Sequence, residues 1–540
     1  MAIRLQRHDV MGGLTAAVVA LPLALAFGVA SGAGALAGLY GAVFVGFFAA
    51  VFGGTPAQIS GPTGPMTVVM ALVVSHFAAD PGHAFLVVAL GGLLQVAFGY
   101  SGIGRYIKLV PYPVVSGFMN GIGCIIIILQ VPPLLGYATP DGIILVKLAA
   151  MPAMFAAPDL ATVFLGLFTL AVMLLTPRAL RAWLPPPLLA LVAGTAVSML
   201  ALPDVPVIGA IPTGLPHLAP GLPPLDEFPY VVRYAIVLAF LGSIDSLLTS
   251  LVADGMTNTR HDSDRELVGQ GIGNFVAGLF GGLPGAGATM RTVVNVRAGG
   301  RGPVSGATHA LVLAALVLGI GGAVARVPLA VLAGILFKVG IDIIDWRYVR
   351  RLHRAPRAGV VIMLTTLGIT VFVDLITAVA VGVVMACVLF VARMADAQME
   401  SARLAFDPAE LPGLDAEETA LLAAGGGRVL LFSIEGPLSF GSAKDIAFKL
   451  RSGLEHDVLV IDMSSVPFID STASLALEEV IEAMDAAGNA VLLCATRPRV
   501  ADVLERCGVL ARLGAGNLCD DRRAALARAV ERLAELDRVP

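Results

Sequence analysis

Long apolar stretches follow one another through the first 396 residues, and no other feature limits the possible folds as strongly. Each stretch has roughly 16 to 25 residues, and a helix of about 20 apolar residues crosses the hydrocarbon core of a bilayer. Backbone groups in lipid must be satisfied within the segment, so helices are the expected spanning structure. The chain is 57% hydrophobic and 14% charged, whereas soluble proteins have about 25% charged residues. The sequence therefore predicts a polytopic α-helical membrane protein rather than a soluble enzyme.

The pattern divides into about fourteen membrane segments, although the exact number is open because some segments are short. The predicted segments are 10–30, 34–52, 60–77, 84–100, 110–130, 142–156, 160–177, 186–203, 230–255, 266–282, 286–298, 304–324, 328–345 and 358–395. The last is too long for one crossing and is expected to contain two, broken near Asp374. The segment 142–156 is weak and is a candidate for an incomplete crossing.

The composition changes near residue 396, where the charge density rises and short apolar strands begin to alternate with helical patterns. The predicted strands are 428–434 (RVLLFSI), 457–463 (DVLVIDM) and 490–494 (AVLLC). Such alternation is typical of an α/β domain with helices packed on a sheet. The sequence therefore predicts a membrane domain over 1–396, a linker over 397–427 and an α/β domain over 428–540.

Charge and cysteine content exclude several classes of function. The net charge of −4 is small, which argues against a nucleic-acid partner. The five Cys residues have no short paired spacing, which argues against a disulfide scaffold or a Cys-type zinc site. Neither a nucleophile–base arrangement nor a metal-ligand spacing stands out, so we expect no enzyme activity and no bound cofactor.

The distribution of Lys and Arg predicts the orientation in the membrane, because basic loops lie on the cytoplasmic side. Basic residues precede the first segment and are dense between 347 and 357, whereas the long loop 203–229 has none. We therefore expect that loop to be external. The N-terminus and the C-terminal domain are expected to be cytoplasmic.

The membrane region contains an internal repeat. Residues 52–56 read FGGTP and residues 280–284 read FGGLP, and Thr-Val-Val follows each, at 67–69 and at 292–294. Paired segments interrupted by Gly and Pro are the best sequence indicator of the substrate site in secondary transporters. Half-helices begin there near the bilayer midplane, and their free N–H groups attract anions. The alternative is that Gly and Pro only allow close helix packing.

These motifs resemble those of a known family. The segments GPTGPMTVV and ATMRTVVN, with DSTASL in the tail, are similar to the sulfate permease (SulP) family of anion transporters with a C-terminal STAS domain. The runs SIDSLLTSLVADG, ELVGQGIGN and PLAVLAGILFKVGIDIIDW resemble the sodium-dependent bicarbonate transporters within that family. The resemblance implies a core domain and a gate domain built from two inverted repeats of about seven segments. It also implies a homodimer.

The resemblance assigns the anion site to Thr63, at the start of the third segment, and to Ala288 and Thr289, at the start of the tenth. A threonine hydroxyl donates to an oxyanion, and backbone N–H groups at a helix start do the same. The alternative is that both threonines are helix caps.

Asp245 lies deep inside an apolar segment, where a carboxylate is by default a functional candidate. Thr249 shares its helix face. The resemblance implies that Asp245, Thr249 and the backbone of Gly287 bind sodium. Two alternatives are open: a protonated Asp245 hydrogen-bonded to Asn274 or Gln270, or an ion pair with Arg291.

Arg291 departs from the bicarbonate branch, although it matches an arginine found at this place in other members of the family. One hypothesis places its positive charge beside the anion, which affects both the sodium requirement and the choice of substrate. The alternative is that its side chain extends toward the cytoplasm.

The STAS resemblance places Ser471 at the position that is phosphorylated in soluble STAS regulators. Ser471 is therefore a candidate regulatory phosphosite. The alternative is a helix N-cap, because serine is favoured at that position.

Together these features predict a secondary active transporter of small inorganic anions in the cell (inner) membrane. Sodium-coupled uptake of bicarbonate is the leading hypothesis. The alternatives are proton-coupled symport of sulfate or dicarboxylate, chloride–bicarbonate exchange and, from another class, an anion channel. The expected partners are a small anion, membrane lipid and a second copy of the chain, with sodium as the coupling ion.

Overall fold

The structure is a computed structural model. It describes residues 7–107, 110–140, 142–177, 180, 184–209, 218–219, 221, 223–319, 324–401, 403–405, 413–450 and 455–537. Parts of the predicted loop 203–229 and of the predicted linker 397–427 lie outside these residues.

The chain divides into two compact units, Met1–Ala386 and Cys387–Pro540. The helices of the first unit are α1 (Arg7–Ala30), α2 (Ala35–Phe52), α3 (Gly64–His76), α4 (Pro81–Tyr100), α5 (Gly104–Ile107), α6 (Tyr112–Leu134), α7 (Ile144–Ala156), α8 (Leu160–Leu175), α9 (Pro186–Ala201), α10 (Phe228–Thr257), α11 (Ser263–Leu279), α12 (Thr289–Arg297), α13 (Pro303–Gly319), α14 (Leu329–Ile343), α15 (Trp346–Val349) and α16 (Arg357–Phe372). Its strands are β1 (Ser60–Pro62) and β2 (Gly285–Gly287). Helix α17 (Leu375–Ser401) continues from the first unit into the second.

Six helices among the described residues are long and apolar enough to cross a bilayer. Helices α7 and α8 pass the same test only as a pair and are bent by 111° at their break, as in a broken span or a re-entrant loop. The predicted break near Asp374 is confirmed, because α16 ends at Phe372 and α17 begins at Leu375. The Asp374 carboxylate accepts hydrogen bonds from the backbone N–H and the hydroxyl of Thr377, at 2.8 and 2.6 Å. The count of fourteen segments stays a prediction.

Small residues allow the helices of the first unit to approach closely. A Cβ atom at Gly92 of α4 would lie 2.3 Å from the backbone nitrogen of Phe275 in α11, and one at Gly271 would lie 2.6 Å from the Gly92 carbonyl oxygen. Within lipid there is no hydrophobic force between helices, so such backbone contact supplies the packing energy.

The two interrupted segments meet in an antiparallel pair of strands. Ser60 pairs with Gly287, Gly61 with Ala286 and Pro62 with Gly285. Helix α3 begins two residues after β1, and α12 begins two residues after β2. The repeat thus predicted both interruptions, although the predicted segments 60–77 and 286–298 each contain a short strand before the helix.

The second unit contains a five-stranded sheet in the order β3-β4-β5-β6-β7. Its strands are β3 (Arg403–Ala405), β4 (Val429–Glu435), β5 (Val458–Ser465), β6 (Ala490–Cys494) and β7 (Leu518–Cys519). Its further helices are α18 (Ala416–Ala424), α19 (Ala443–Leu450), α20 (Ser471–Ala486), α21 (Pro498–Arg506), α22 (Val509–Leu513) and α23 (Arg522–Leu536). Only β3 is antiparallel to its neighbour. Buried side chains cover both faces of the sheet, so this unit has its own core on each side.

The segment predicted as a linker contributes structure to the second unit. Strand β3 pairs with β4, and α18 packs against α23 through Leu422, which is 1% exposed. Glu418 of α18 and Arg522 of α23 form an ion pair with an O–N distance of 2.7 Å. The Arg522 guanidinium lowers the pKa of Glu418 below its ordinary value of 4.5 by donating hydrogen bonds to the carboxylate.

Asp470, rather than Ser471, is the N-cap of α20, and its side chain accepts a hydrogen bond of 2.9 Å from the Ala473 N–H. The interpretation of Ser471 as the cap was therefore wrong. Ser471 is the first residue of the helix, and its side chain is exposed.

Candidate functional site

Thr63 occupies the N-cap position of α3, but its side chain makes no capping hydrogen bond. The hydroxyl is buried and has no partner among the described residues. Its carbonyl oxygen instead accepts from the Thr67 N–H at 3.0 Å and from the Thr67 hydroxyl at 2.8 Å. The cap interpretation of Thr63 was wrong, and the hydroxyl is available to a ligand.

Ala288 is the N-cap residue of α12, and its N–H donates to the Ile59 carbonyl at 2.8 Å. That N–H therefore holds the strands together and is not free for an anion. The first-turn N–H groups that follow, beginning with Thr289, have no acceptor within the helix. Ala288 therefore does not offer its N–H to a ligand, and the N–H groups without a helical acceptor begin with Thr289.

Thr249 of α10 joins the two predicted ion sites. Its hydroxyl donates to the Gly287 carbonyl at 2.9 Å, and its oxygen lies 2.8 Å from the Thr289 hydroxyl oxygen. Because the Thr249 hydrogen points to Gly287, Thr289 is the donor of the second hydrogen bond. The structure therefore brings three predicted residues, Thr249, Gly287 and Thr289, into direct contact.

Asp245 lies one helical turn before Thr249 and is half-buried, with Oδ2 buried and without a partner among the described residues. The predicted alternatives do not satisfy it. Asn274 exchanges two hydrogen bonds with the Gly285 backbone, at 2.7 and 3.0 Å. Gln270 donates instead to Ser60 and to a glutamate of its own helix. The Asp245 carboxylate thus keeps one buried oxygen atom without a hydrogen-bond partner among the described residues.

Arg291 is 2% exposed, so the interpretation that it extends toward the cytoplasm was wrong. Its Nη2 donates to the Pro62 carbonyl, and Nη1 has no partner among the described residues. No ion pair with Asp245 is present among the described pairs. Thr289, two residues earlier, is exposed. The guanidinium therefore lies against the backbone just before α3, and its positive charge is buried beside Pro62.

Gly61 is required beside this guanidinium. Its φ of 150° is rarely adopted by other residues, and a Cβ atom would lie 2.8 Å from Arg291 Nη1. Strand β1 can therefore lie this close to the Arg291 side chain only with glycine at position 61.

Several polar residues around the site were missed by sequence reasoning. Ser246 accepts from the Gly287 N–H at 3.1 Å. Glu266 is 1% exposed, and His309 is fully buried with both ring nitrogens unpartnered among the described residues. Glu266 follows Asp264 and Arg265 in the sequence, so it resembles an ordinary interfacial charge. For His309, the only sequence signal is a lone histidine in an apolar segment.

A cavity of about 800 Å³ lies toward the other end of α3. Its lining includes Ser75, Leu129, Lys147 and Ala333, but none of Thr63, Asp245 and Arg291. It is therefore distinct from the site at the helix starts.

These features define a class of protein. A membrane-embedded site at the starts of two half-helices, with hydroxyl, carboxylate and carbonyl oxygen atoms, is typical of secondary transporters. The sulfate permease family matches residues 6–366, and the STAS domain matches residues 421–525. The chain belongs to the sulfate permease family. This result confirms the predicted family, the membrane fold with a C-terminal STAS domain, and the expectation of a transporter rather than an enzyme.

Two relatives and one solved structure are similar to most of the chain or of its membrane region. The Synechocystis sp. protein named Bicarbonate transporter BicA is 47% identical over 529 residues, which cover 97% of this chain and 94% of the relative. The protein of the same name from Picosynechococcus sp. is 46% identical over 488 residues, which cover 88% of this chain and 86% of the relative. The solved transmembrane domain of a cyanobacterium bicarbonate transporter BicA has a TM-score of 0.67 at 50% identity, and covers 70% of this chain and 98% of that one.

Proposed function

We propose that the protein is a secondary active transporter that takes up bicarbonate together with sodium. One observation carries the proposal: Thr249, Gly287 and Thr289 are in direct contact, one turn from the unpartnered oxygen of Asp245. Relatives that are 46% and 47% identical are named bicarbonate transporters, which supports the choice of anion.

The anion binds at the starts of α3 and α12. Bicarbonate is a small oxyanion, and the unpartnered Thr63 hydroxyl donates to one of its oxygen atoms. The Thr289 hydroxyl, which donates to Thr249 in this structure, turns to the anion when the anion binds. The free N–H groups of both first turns add further donors, and the positive ends of two helix dipoles favour a negative charge between them. Arg291 adds a full positive charge through its position beside Pro62.

The cation binds next to the anion. Sodium takes oxygen ligands, and Asp245, Thr249 and the Gly287 carbonyl supply a carboxylate, a hydroxyl and a backbone oxygen. Without a cation, the Asp245 charge repels an incoming anion. Sodium neutralises that charge, so binding of one ion favours binding of the other, and the coupling is reciprocal.

We further propose that the protein acts as a homodimer in the cell (inner) membrane, with the N-terminus and the STAS domain in the cytoplasm. The basic residues between 347 and 357, and their lack in the loop 203–229, support this orientation. Ser471 is a phosphorylation site in the cytoplasmic domain under this proposal, and its exposed position supports access by a kinase.

The test is uptake into proteoliposomes by the full-length protein, with radiolabelled bicarbonate, sulfate and fumarate compared with and without sodium. We expect bicarbonate uptake that rises with external sodium, and Asp245→Asn should abolish the sodium response because an amide carries no charge. A flat sodium response in the wild type would contradict sodium coupling. Faster uptake of sulfate or fumarate would contradict the substrate, and single-channel currents would indicate a channel.

A further inference from the structure

Glu266 is a buried carboxylate of the first unit, and the ion sites described above do not use it. It lies in the first turn of α11 and is 1% exposed. A buried carboxylate is costly unless it is fully hydrogen-bonded, so its contacts indicate what it stabilises.

The Glu266 carboxylate accepts four hydrogen bonds. Oε2 accepts from the Gly54 and Thr55 N–H groups, both at 2.9 Å. Oε1 accepts from Gln58 Nε2 at 2.7 Å and from Gln270 Nε2 at 2.8 Å. All four partners are N–H donors, so the ionised form satisfies them all, whereas a glutamine would set its own donors against some of them.

Gln58 connects this carboxylate to the cation site. A Cβ atom at Gly287 would lie 2.4 Å from Gln58 Nε2, so the amide packs directly against the Gly287 backbone. The Gln58 Oε1 accepts from the Ser250 hydroxyl at 3.1 Å, next to Thr249 in the chain. Gln58 therefore touches Gly287 and the immediate neighbour of Thr249.

Gln270 makes a second connection to the same place. Its Nε2 also donates to the Ser60 hydroxyl at 2.5 Å, and Ser60 is the strand partner of Gly287. Glu266 thus holds two glutamines, one against Gly287 and one against the residue paired with it.

We propose that Glu266 is a positioning residue for the cation site, which rests on the proposed function. As a buried anion it fixes Gln58 and Gln270, and through them it keeps the Gly287 carbonyl directed at Thr249. The charges agree with this role. When both carboxylates are ionised, Asp245 and Glu266 carry two negative charges and Arg291 one positive charge. Arg291 alone therefore does not balance them, which leaves a role for a cation beside Asp245.

The test compares variants of the full-length protein in proteoliposomes, with bicarbonate uptake measured against external sodium. Residues that orient ligands of a bound ion change its affinity by about 10- to 100-fold. We expect Glu266→Gln and Gln58→Ala to raise the half-saturating sodium concentration at least tenfold, with the bicarbonate KM at saturating sodium changed less than threefold. Glu266→Asp keeps the charge and should stay within threefold of the wild type.

Asp9→Asn is the matched control. Asp9 is also a buried carboxylate, at 3% exposure, and accepts from the Arg301 and Gly302 N–H groups at 2.7 and 2.9 Å. Its variant should leave the sodium constant unchanged. An unchanged constant in Glu266→Gln, or an equal shift in Asp9→Asn, overturns the proposal. Where Glu266→Gln does not give a monodisperse protein, Gln58→Ala decides by the same criterion.

The two proposals fail in different ways. A wild-type protein that does not respond to sodium contradicts sodium coupling. It also overturns the role of Glu266, which is defined at the cation site. A wild type that responds to sodium, with an unchanged sodium constant in Glu266→Gln and Gln58→Ala, overturns the positioning role alone.

Discussion

The hydroxyl oxygen atoms of Thr249 and Thr289 lie 2.8 Å apart, and this contact joins the C-terminal third of α10 to the first residue of α12. Thr249 also donates to Gly287. A residue predicted to bind the anion and two predicted to bind the cation are therefore neighbours. Under the proposed function, the two ions therefore influence each other directly, because each ion alters the surroundings of the other.

Thr289→Val and Thr63→Val should each weaken bicarbonate binding, because each removes a hydroxyl donor and keeps the shape of the side chain. The expected cost is about 1–3 kcal/mol, or about 10- to 100-fold in affinity. Competition with labelled bicarbonate in detergent measures it. Thr366→Val is the control, since Thr366 is fully buried in α16 and its hydroxyl has no partner among the described residues. Unchanged affinity in both site variants would contradict the half-helix site.

Arg291→Gly should leave a sodium-activated transporter with a raised KM for bicarbonate. The reason is that Arg291 donates to Pro62 and forms no ion pair with Asp245 among the described residues, so Asp245 remains free for sodium. Initial rates against sodium and bicarbonate, measured for wild type and variant, separate the two effects. Sodium activation that appears only in the variant would show that Arg291 replaces sodium in the wild type.

Gly287→Ala should reduce sodium-driven uptake strongly, because its Cβ would lie 2.4 Å from Gln58 Nε2. Gln58 cannot move easily, since Glu266 and Ser250 hold it. Adding Gln58→Ala to the same chain makes room for the methyl group. We therefore expect the double variant to transport better than Gly287→Ala alone, in a double-mutant cycle on initial rates. Strictly additive losses would contradict the contact.

Glu418→Gln should destabilise the packing of α18 on α23 at neutral pH by about 1–3 kcal/mol, since Arg522 loses a charged acceptor. The pKa of Glu418 is below its ordinary value of 4.5 in the folded protein. Its stabilisation is therefore complete above that value and is lost as the pH falls through the lowered pKa. Hydrogen exchange of α18 in the full-length protein should show a difference between wild type and variant that narrows below pH 4.5.

The exposed neighbour Glu417 provides the control for this experiment. It pairs with Arg523 at 3.0 Å, and its side chain is 62% exposed. Exposed pairs contribute little to stability, so Glu417→Gln should leave the exchange of α18 unchanged. An equal effect of both variants would show that the Glu418 pair has no special role.

Truncation after residue 402 should give a protein that aggregates less than the product of truncation after residue 427. The longer product keeps α18 but loses α23, which covers Leu422, so it exposes an apolar face. Size-exclusion chromatography should show aggregation of the longer product only. Both products keep Thr63, Asp245 and Thr289, so the 402 product should bind bicarbonate. A folded 402 product that binds no anion would contradict the assignment of the site to the first unit.

The sequence predicted the membrane fold well. The length of the apolar segments indicates the membrane helices, and the repeat of FGGxP before Thr-Val-Val indicates where two of them are interrupted. It did not predict the pairing of β1 with β2. Strands of three residues are too short for a periodic pattern, and Ser60 and Gly287 are far apart in the chain. The pairing depends on tertiary contacts such as the hydrogen bond from the Ala288 N–H to Ile59.

The site was predicted in its residue types better than in its orientations. Thr249 and Gly287 were predicted to share the cation site, and they are in contact. Thr289 was predicted in the anion site, and its hydroxyl also contacts Thr249. The direction of the Arg291 side chain could not be predicted. Successive side chains of a helix point about 100° apart, so the face that Arg291 occupies depends on where the helix begins. Thr289 and Arg291 therefore face different sides of one helix start. Glu266 was missed because its burial depends on the loop at Gly54 and Thr55, which no local pattern reveals.

The pairing of β1 with β2 fixes the distance between the starts of α3 and α12 through backbone contacts. Each residue of a strand advances about 3.3 Å, so deleting one residue from either strand would shift a half-helix by more than the length of a hydrogen bond. The distance between the two helix starts is thus set by main-chain geometry. Under the proposed function, substitutions at positions such as 63 and 289 can change the choice of anion one side chain at a time, while that distance stays the same.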